Sequence, residues 1–98
     1  MIVFDEEAQV DLERIFDFNF ERDPASALQH VERIMEAVLI LERHPEIGRR
    51  AAGAPPLREL VISHGNTGYI ALYNHSRLEG IVRVVALRHQ REAGYRGR

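Results

Sequence analysis

The dipeptide Asp23-Pro24 constrains this chain more than any other local feature, because helical periodicity runs up to it and resumes straight after it. An aspartate followed by a proline reads as an N-cap and a first helical position, where the missing N–H costs nothing. Before it, Ala8, Leu12, Ile15 and Phe16 recur at i, i+4, i+7 and i+8, while Glu7, Asp11, Arg14, Asp17 and Glu21 fall mostly on the other side. Asp5 reads as the N-cap of this first helix, with Glu6 and Glu7 in the first turn where the dipole favours anions, and the helix should end near Arg22. After the joint, Ala27, Leu28, Val31, Ile34, Met35, Val38 and Leu41 keep helical spacing up to His44-Pro45, where the residue before proline leaves the helical region. The stripe from Leu28 to Leu41 reads as core. Two helices joined this closely fold back on each other, and so thin a hairpin needs a further layer to cover its apolar faces.

That layer is written into the rest of the chain. Met1 to Phe4 forms a short apolar strand, and after a small-residue loop, Gly48 to Pro56, come three β-type runs: Leu57 to Ile62, Tyr69 to Tyr73 and Ile81 to Leu87. The glycine-containing connections, residues 63–68 and 74–80, suit antiparallel hairpins. The expectation is an α+β fold of order β-α-α-β-β-β in one domain spanning residues 1–98. The last run is apolar at nearly every position except Arg83, which predicts a central strand covered on both faces. Simple alternation groups Val82, Val84, Ala86 and Arg88 on one face, and Ile81, Arg83, Val85, Leu87 and His89 on the other.

Composition removes several function classes. There is no cysteine, hence no disulfide framework or thiolate metal site, and no apolar run of membrane-spanning length. The first residues enter an acidic stretch and lack an export signal, so a cytoplasmic protein with no membrane partner is expected. The formal net charge of −2 conceals a division: residues 1–47 hold twelve acids against four arginines, and residues 48–98 hold nine arginines against three glutamates. Such asymmetry points to an acidic or polyanionic partner on the basic side, the sheet and tail. Every cation is arginine, whose flat fork suits specific pairing with carboxylate or phosphate.

Few residues offer chemistry. His30, His44, His64, His75 and His89 have no metal-ligand spacing, the Gly65–Gly68 stretch reads as a turn and not a phosphate loop, and no serine stands in a nucleophile elbow. No metal or cofactor is implied. The tail is richer: Arg88, His89, Arg91 and Tyr95 are residue types that bind phosphate or exchange protons with RNA. They equally suit structural work, with the arginines solvated or paired to helix acids, His89 capping the strand end and Tyr95 packed on the sheet edge. Arg58 poses the same choice, with an ion pair to Glu59 or a helix acid as its structural alternative.

Five motifs in this order resemble the RelE/ParE superfamily of bacterial type II toxins over essentially the whole length. They are Ala8-x-x-x-Leu12-x-x-Ile15, His44-Pro45-Glu46-Ile47-Gly48-Arg49, Leu57-Arg58-Glu59-Leu60, Gly68-Tyr69-Ile70-Ala71-Leu72-Tyr73 and Leu87-Arg88-His89-Gln90-Arg91. The resemblance implies a helical hairpin on a mostly antiparallel sheet, a cognate antitoxin partner forming a hetero-oligomer with the toxin, and promoter DNA bound only through that antitoxin. RelE-like members cleave mRNA on the ribosome, whereas ParE-like members poison DNA gyrase. Three positions that are basic in RelE fall at Val61, Ser63 and Ile70, and His89 replaces an arginine, although Tyr95 matches RelE's tyrosine. His89-x-Arg91 looks like the ParE ending, and a pI near 6.2 suits a protein target better than rRNA. The resemblance therefore implies a ParE-like gyrase inhibitor that arrests growth without catalysis. Its alternatives are a RelE-like endoribonuclease using Arg58, Arg88, His89, Arg91 and Tyr95, and a degenerate toxin acting only as an antitoxin-binding co-repressor. On the leading reading Arg58, Arg83, Arg88, His89, Arg91 and Tyr95 are the candidate target- or antitoxin-binding residues.

Overall fold

The computed structural model describes residues 1–53 and 56–96. Two positions of the expected loop, Ala54 and Pro55, and the terminal Arg98 of the basic half lie outside the described residues. The chain runs β1 (Ile2–Phe4), α1 (Glu6–Arg22), α2 (Pro24–Leu39), a 3-10 turn (Ile40–Glu42), β2 (Arg49–Arg50), β3 (Arg58–His64), β4 (Thr67–Ser76) and β5 (Ile81–His89). The five strands form one sheet in the order β1-β5-β4-β3-β2. Only the β1–β5 pair is parallel, so the sheet is mixed but mostly antiparallel, and the expected α+β architecture holds.

Asp23 and Pro24 form the joint as expected, although neither Asp5 nor Asp23 caps its helix through a side chain. The Asp5 carboxylate is used elsewhere. Pairing of Phe4 with Val84 brings it beside β5, where Oδ1 accepts from Arg83 Nη1 at 2.9 Å. At the other joint Ser26 donates both N–H and Oγ–H to the Asp23 carbonyl, satisfying the turn through main chain.

The core lies between the hairpin and one face of the sheet. Ile34, Val38 and Leu41 of the second helical segment meet Ile62, Tyr73, Val84 and Leu87, all essentially without solvent contact. Full burial of an aliphatic or aromatic side chain of this size contributes about 1.5–3 kcal/mol. The expected stripe only half holds. Leu28 and Met35 are exposed, and Val31 lines an apolar groove between the helices with Leu12 and Phe16. In the opposite sense, Asp11 is 3% exposed despite its place on the polar side of the predicted helix. Strand β1 is only three residues long, so on its β1 side β5 has no strand neighbour beside Leu87, and Asp11 Oδ2 accepts the Leu87 N–H at 2.9 Å instead.

Simple alternation fails along β5. Leu72 pairs with Ala86 but Tyr73 pairs with Val84, so Val85 is an extra residue in the ladder, a β-bulge. Past the bulge the faces exchange: Val82, Val84 and Leu87 face the helices, while Val85 and Ala86 join Leu72, Ala51, Leu57 and Tyr95 in a small cluster on the outer face. The strands are also longer than the apolar runs. β4 extends through Asn74, His75 and Ser76, and β2 is a pair of arginines registered against Arg58 and Glu59.

Candidate functional site

The six candidate residues do not form one cluster. The bulge and the strand pleat divide them among three places. Arg58 stands at the far end of β3, where Nη1 donates to the carbonyls of Glu46 (3.1 Å) and Gly48 (2.8 Å), with the Glu46 carboxylate 4.0 Å away. Its partner is therefore the loop after the helical hairpin and not Glu59, which pairs with Arg49. The same loop is held twice more. Gly48 donates its N–H to the Tyr73 hydroxyl at 2.8 Å, and Arg77 clamps the Glu46 carboxylate with bonds of 2.7 and 2.8 Å. A Cβ on Gly48 would lie 2.7 Å from both the Glu59 carbonyl and the Tyr73 ring. The motif from His44 to Arg49 is thus a docking device for the chain, and Arg58 is one of its clasps.

Arg83, Arg88 and Tyr95 occupy the outer face. Arg83 is paired with Asp5. Arg88 turns its guanidinium onto the tail, with Nη1 2.8 Å from the Glu92 carbonyl and the charge 5.1 Å from the Tyr95 ring centroid. Tyr95 lies on the face of the sheet, not its edge, and donates its hydroxyl to Glu59 Oε2 at 2.6 Å. Burial and this acidic neighbour together push its pKa far up. All three arginines that sequence left open as pairing sites, Arg58, Arg83 and Arg88, are already engaged internally.

His89 and Arg91 go to the opposite face, into a cleft of about 680 Å³ between α1, the start of α2, the β3–β4 turn and the tail. Its centre is Tyr69, 2% exposed, whose hydroxyl receives Asn19 Nδ2–H at 3.2 Å and lies 2.9 Å from His30 Nδ1. The Tyr69–His30 bond forms with either ring tautomer, the hydroxyl donating to a bare Nδ1 or accepting from a protonated one. The tautomer of His89 is set by the main chain. The Arg91 N–H donates to Nδ1 at 3.0 Å, so Nε2 carries the proton and donates to Thr67 Oγ1. Both ring nitrogens of His89 are therefore occupied.

The rings of His30 and His64 meet edge to face at 4.6 Å, and those of Tyr69 and His89 at 5.4 Å. Burial first, then the neighbouring His64, hold the His30 pKa below its usual value against the pull of Asp23. Burial and Arg91 do the same to His89 against Glu92. Glu92 organises the tail: Oε1 accepts the His89 N–H at 3.0 Å and Arg14 Nη1 at 3.1 Å, and these bonds outweigh burial to lower its pKa. The guanidinium of Arg91 has neither hydrogen bond nor ion pair among the described residues.

Sequence reasoning missed this cleft. Its members are drawn from α1, α2, β4 and the tail, and the 78-residue separation of Arg14 and Glu92 leaves no local pattern to read. The one available signal was the Gly68-Tyr69 pair, since Gly68 lets the Gln90 side chain approach to 2.5 Å of where a Cβ would stand. Among the described residues no group of three or more His, Asp or Glu side chains is arranged to hold a metal ion. No described helix is long and apolar enough to cross a membrane.

The family model for the ParE toxin of the type II toxin–antitoxin system parDE matches residues 2–94. The chain belongs to the ParE toxin family. No curated protein matches the sequence. Among solved structures, one described as the chromosomal ParDE TA system from P. aeruginosa superposes with a TM-score of 0.77 at 21% identity, covering 90% of this chain and 92% of that one. At that identity the likeness is one of fold, and it agrees with the two-helix, five-strand arrangement derived above. Within the ParE fold, the outer face carries Tyr95 and the helix-side cleft carries His89 and Arg91, so the ParE-like ending and the RelE-like tyrosine lie on opposite sides of β5.

Proposed function

We propose that the chain arrests growth as a non-catalytic inhibitor of DNA gyrase in the cytoplasm, acting as one toxin domain, and that a cognate antitoxin neutralises it in a hetero-oligomer and alone contacts promoter DNA. The observation that favours this reading over RNA cleavage is the Tyr95–Glu59 hydrogen bond. A general acid or base must exchange its proton with substrate near the working pH. The Tyr95 proton is instead directed at a carboxylate, and burial together with that bond holds the hydroxyl in its neutral form. On the same outer face Val61, Ser63 and Ile70 supply no cation where a phosphorane would need one. His89, with both ring nitrogens bonded, is a poor proton carrier as well.

The antitoxin part of the reading draws support from the outward surface of the helical hairpin. Leu12, Phe16 and Val31 form a groove with Glu13 and Asp17 in its lining, Phe20 (50% exposed) stacks on Phe16, and Leu28 (57%) and Met35 (39%) are exposed one turn to either side of Val31 on α2. An amphipathic segment with apolar side chains flanked by cations fits this surface, which shifts the expected antitoxin contact from the basic sheet to the acidic hairpin.

The purified chain is expected to inhibit gyrase supercoiling. Its induction without antitoxin should raise the SOS response and filamentation while pulse-labelled translation continues. Tyr95→Phe should keep full growth inhibition. Early arrest of translation with mRNA cut at codon positions, together with loss of toxicity in Tyr95→Phe, would establish the ribonuclease reading instead.

A further inference from the structure

We propose that the cleft around Tyr69 is a binding site for a phosphoryl group, carried by free phosphate or by a small phosphorylated ligand such as a nucleotide. Its volume, about 680 Å³, lies within the ~300–1,000 Å³ typical of small-ligand sites. Its lining includes four arginines, Arg14, Arg22, Arg91 and Arg96, against the carboxylates of Asp23 and Glu92. Glu92 is committed to Arg14 at 3.1 Å and Arg96 at 3.7 Å. Arg91 and Arg22 therefore stand on the cleft with no ion pair among the described residues, Arg22 resting over the Phe18 ring at 5.2 Å. His30 adds an imidazole to the same lining, beside the Tyr69 hydroxyl.

The arrangement suits a tetrahedral oxyanion better than an ordinary carboxylate. Two guanidinium forks from separate elements, the end of α1 and the tail, line the same cleft as the His30 imidazole from α2. Several donors converging from different directions match the three terminal oxygens of a phosphoryl group, whereas a planar carboxylate is satisfied by one fork. Phe18 is 50% exposed on the cleft wall, and with Arg22 over one face of its ring the opposite face is the one left for a ligand held by Arg22. That face would accept a nucleobase by stacking, so a nucleotide is the more fully matched of the two sources. The site lies on the helix side of the sheet, away from Val61, Ile70 and Tyr95.

The test uses the full chain, titrated by NMR with inorganic phosphate, sulfate and adenosine 5′-monophosphate while the His30 ring signals are followed. Saturable shifts of those signals are expected with all three anions. Arg91→Ala and Arg22→Ala, both exposed and outside the core, should each weaken phosphate binding by about tenfold, the value of one lost charge-assisted contact. Tighter binding of the nucleotide than of phosphate, abolished in Phe18→Ala, identifies a nucleotide; equal affinities identify free phosphate. Absence of saturable shifts with every anion overturns the proposal, as does binding that Arg91→Ala and Arg22→Ala leave unchanged.

Discussion

Tyr69 and Tyr73 stand four residues apart on one face of β4, and both are buried with their hydroxyls bonded, yet their surroundings differ in kind. The Tyr73 hydroxyl accepts a main-chain N–H from Gly48 in a loop also clasped by Arg58 and Arg77, so its polar neighbours are partnered. The Tyr69 hydroxyl meets only side chains, Asn19 and His30, at the rim of an open cleft where Arg91 keeps an unspent charge. Main-chain partners fix the path of the chain, whereas side-chain partners leave room for rearrangement. One end of the sheet is built to be rigid, and the other retains interaction capacity.

The sharpest way to break this contrast is at Gly48. A methyl group there would overlap the Glu59 carbonyl and the Tyr73 ring, so Gly48→Ala should destabilise by about 2 kcal/mol and lower the melting temperature by roughly 10 °C. If calorimetry finds no shift, the loop is looser than the contacts imply. A smaller loss is expected for Tyr73→Phe, which strands the buried Gly48 N–H at a cost of about 1–2 kcal/mol in urea unfolding. Tyr69→Phe should cost less, about 0.5–1 kcal/mol, because Asn19 also bonds the Ile15 carbonyl and His30 can turn to water. Equal losses at the two tyrosines would erase the distinction.

Acidification probes the open end selectively. His30 and His89 both have folded-state pKa values below 6.5, so the folded form binds fewer protons than the unfolded chain. Their contribution is fully present above 6.5 and declines as pH falls through 6.5 toward the folded values. Thermal stability should therefore decrease modestly on going from neutral to mildly acidic buffer, and His89→Gln should flatten the profile. A stability that rises over this interval would contradict the imidazole assignments. The smallest effect on folding is expected at Arg91, where Arg91→Ala should change stability by less than about 0.5 kcal/mol while reducing growth inhibition on induction. A variant that remains fully toxic would remove Arg91 from the target-binding set.

What could be read from the linear chain was whatever depended on short range. The Asp23-Pro24 joint and the apolar periods on either side of it placed both helices, since caps and stripes are local properties. The apolar runs located β3, β4 and β5, and the lone apolar start located β1. β2 escaped because Arg49 and Arg50 have no strand character of their own and are extended only by pairing with Glu59 and Arg58. The bulge at Val85 escaped for a similar reason: a run of Val-Val-Ala is equally apolar in either phase, so nothing marks where the pleat slips. Asp11 was misplaced because a charge on a helix is normally solvated, and only the shortness of β1 creates a buried N–H for it to satisfy. Of the candidate residues, Arg88, His89, Arg91 and Tyr95 stand close together in the chain, but their division between two faces depends on the bulge and was not legible.

The parallel pairing of β1 with β5 has a consequence for the order of assembly. Residues 2–4 acquire a partner only when residues 82–84 exist, and the strand that completes the core is the last of the five described strands in chain order. During translation the hairpin and the β3–β4 pair emerge with their shared core incomplete, and closure must join segments nearly eighty residues apart, a slow step governed by loop entropy. The polypeptide therefore spends its synthesis without the folded cleft or the finished outer face. On the proposed function, an antitoxin already present in the cell would gain that interval to meet the chain before a competent inhibitor has formed.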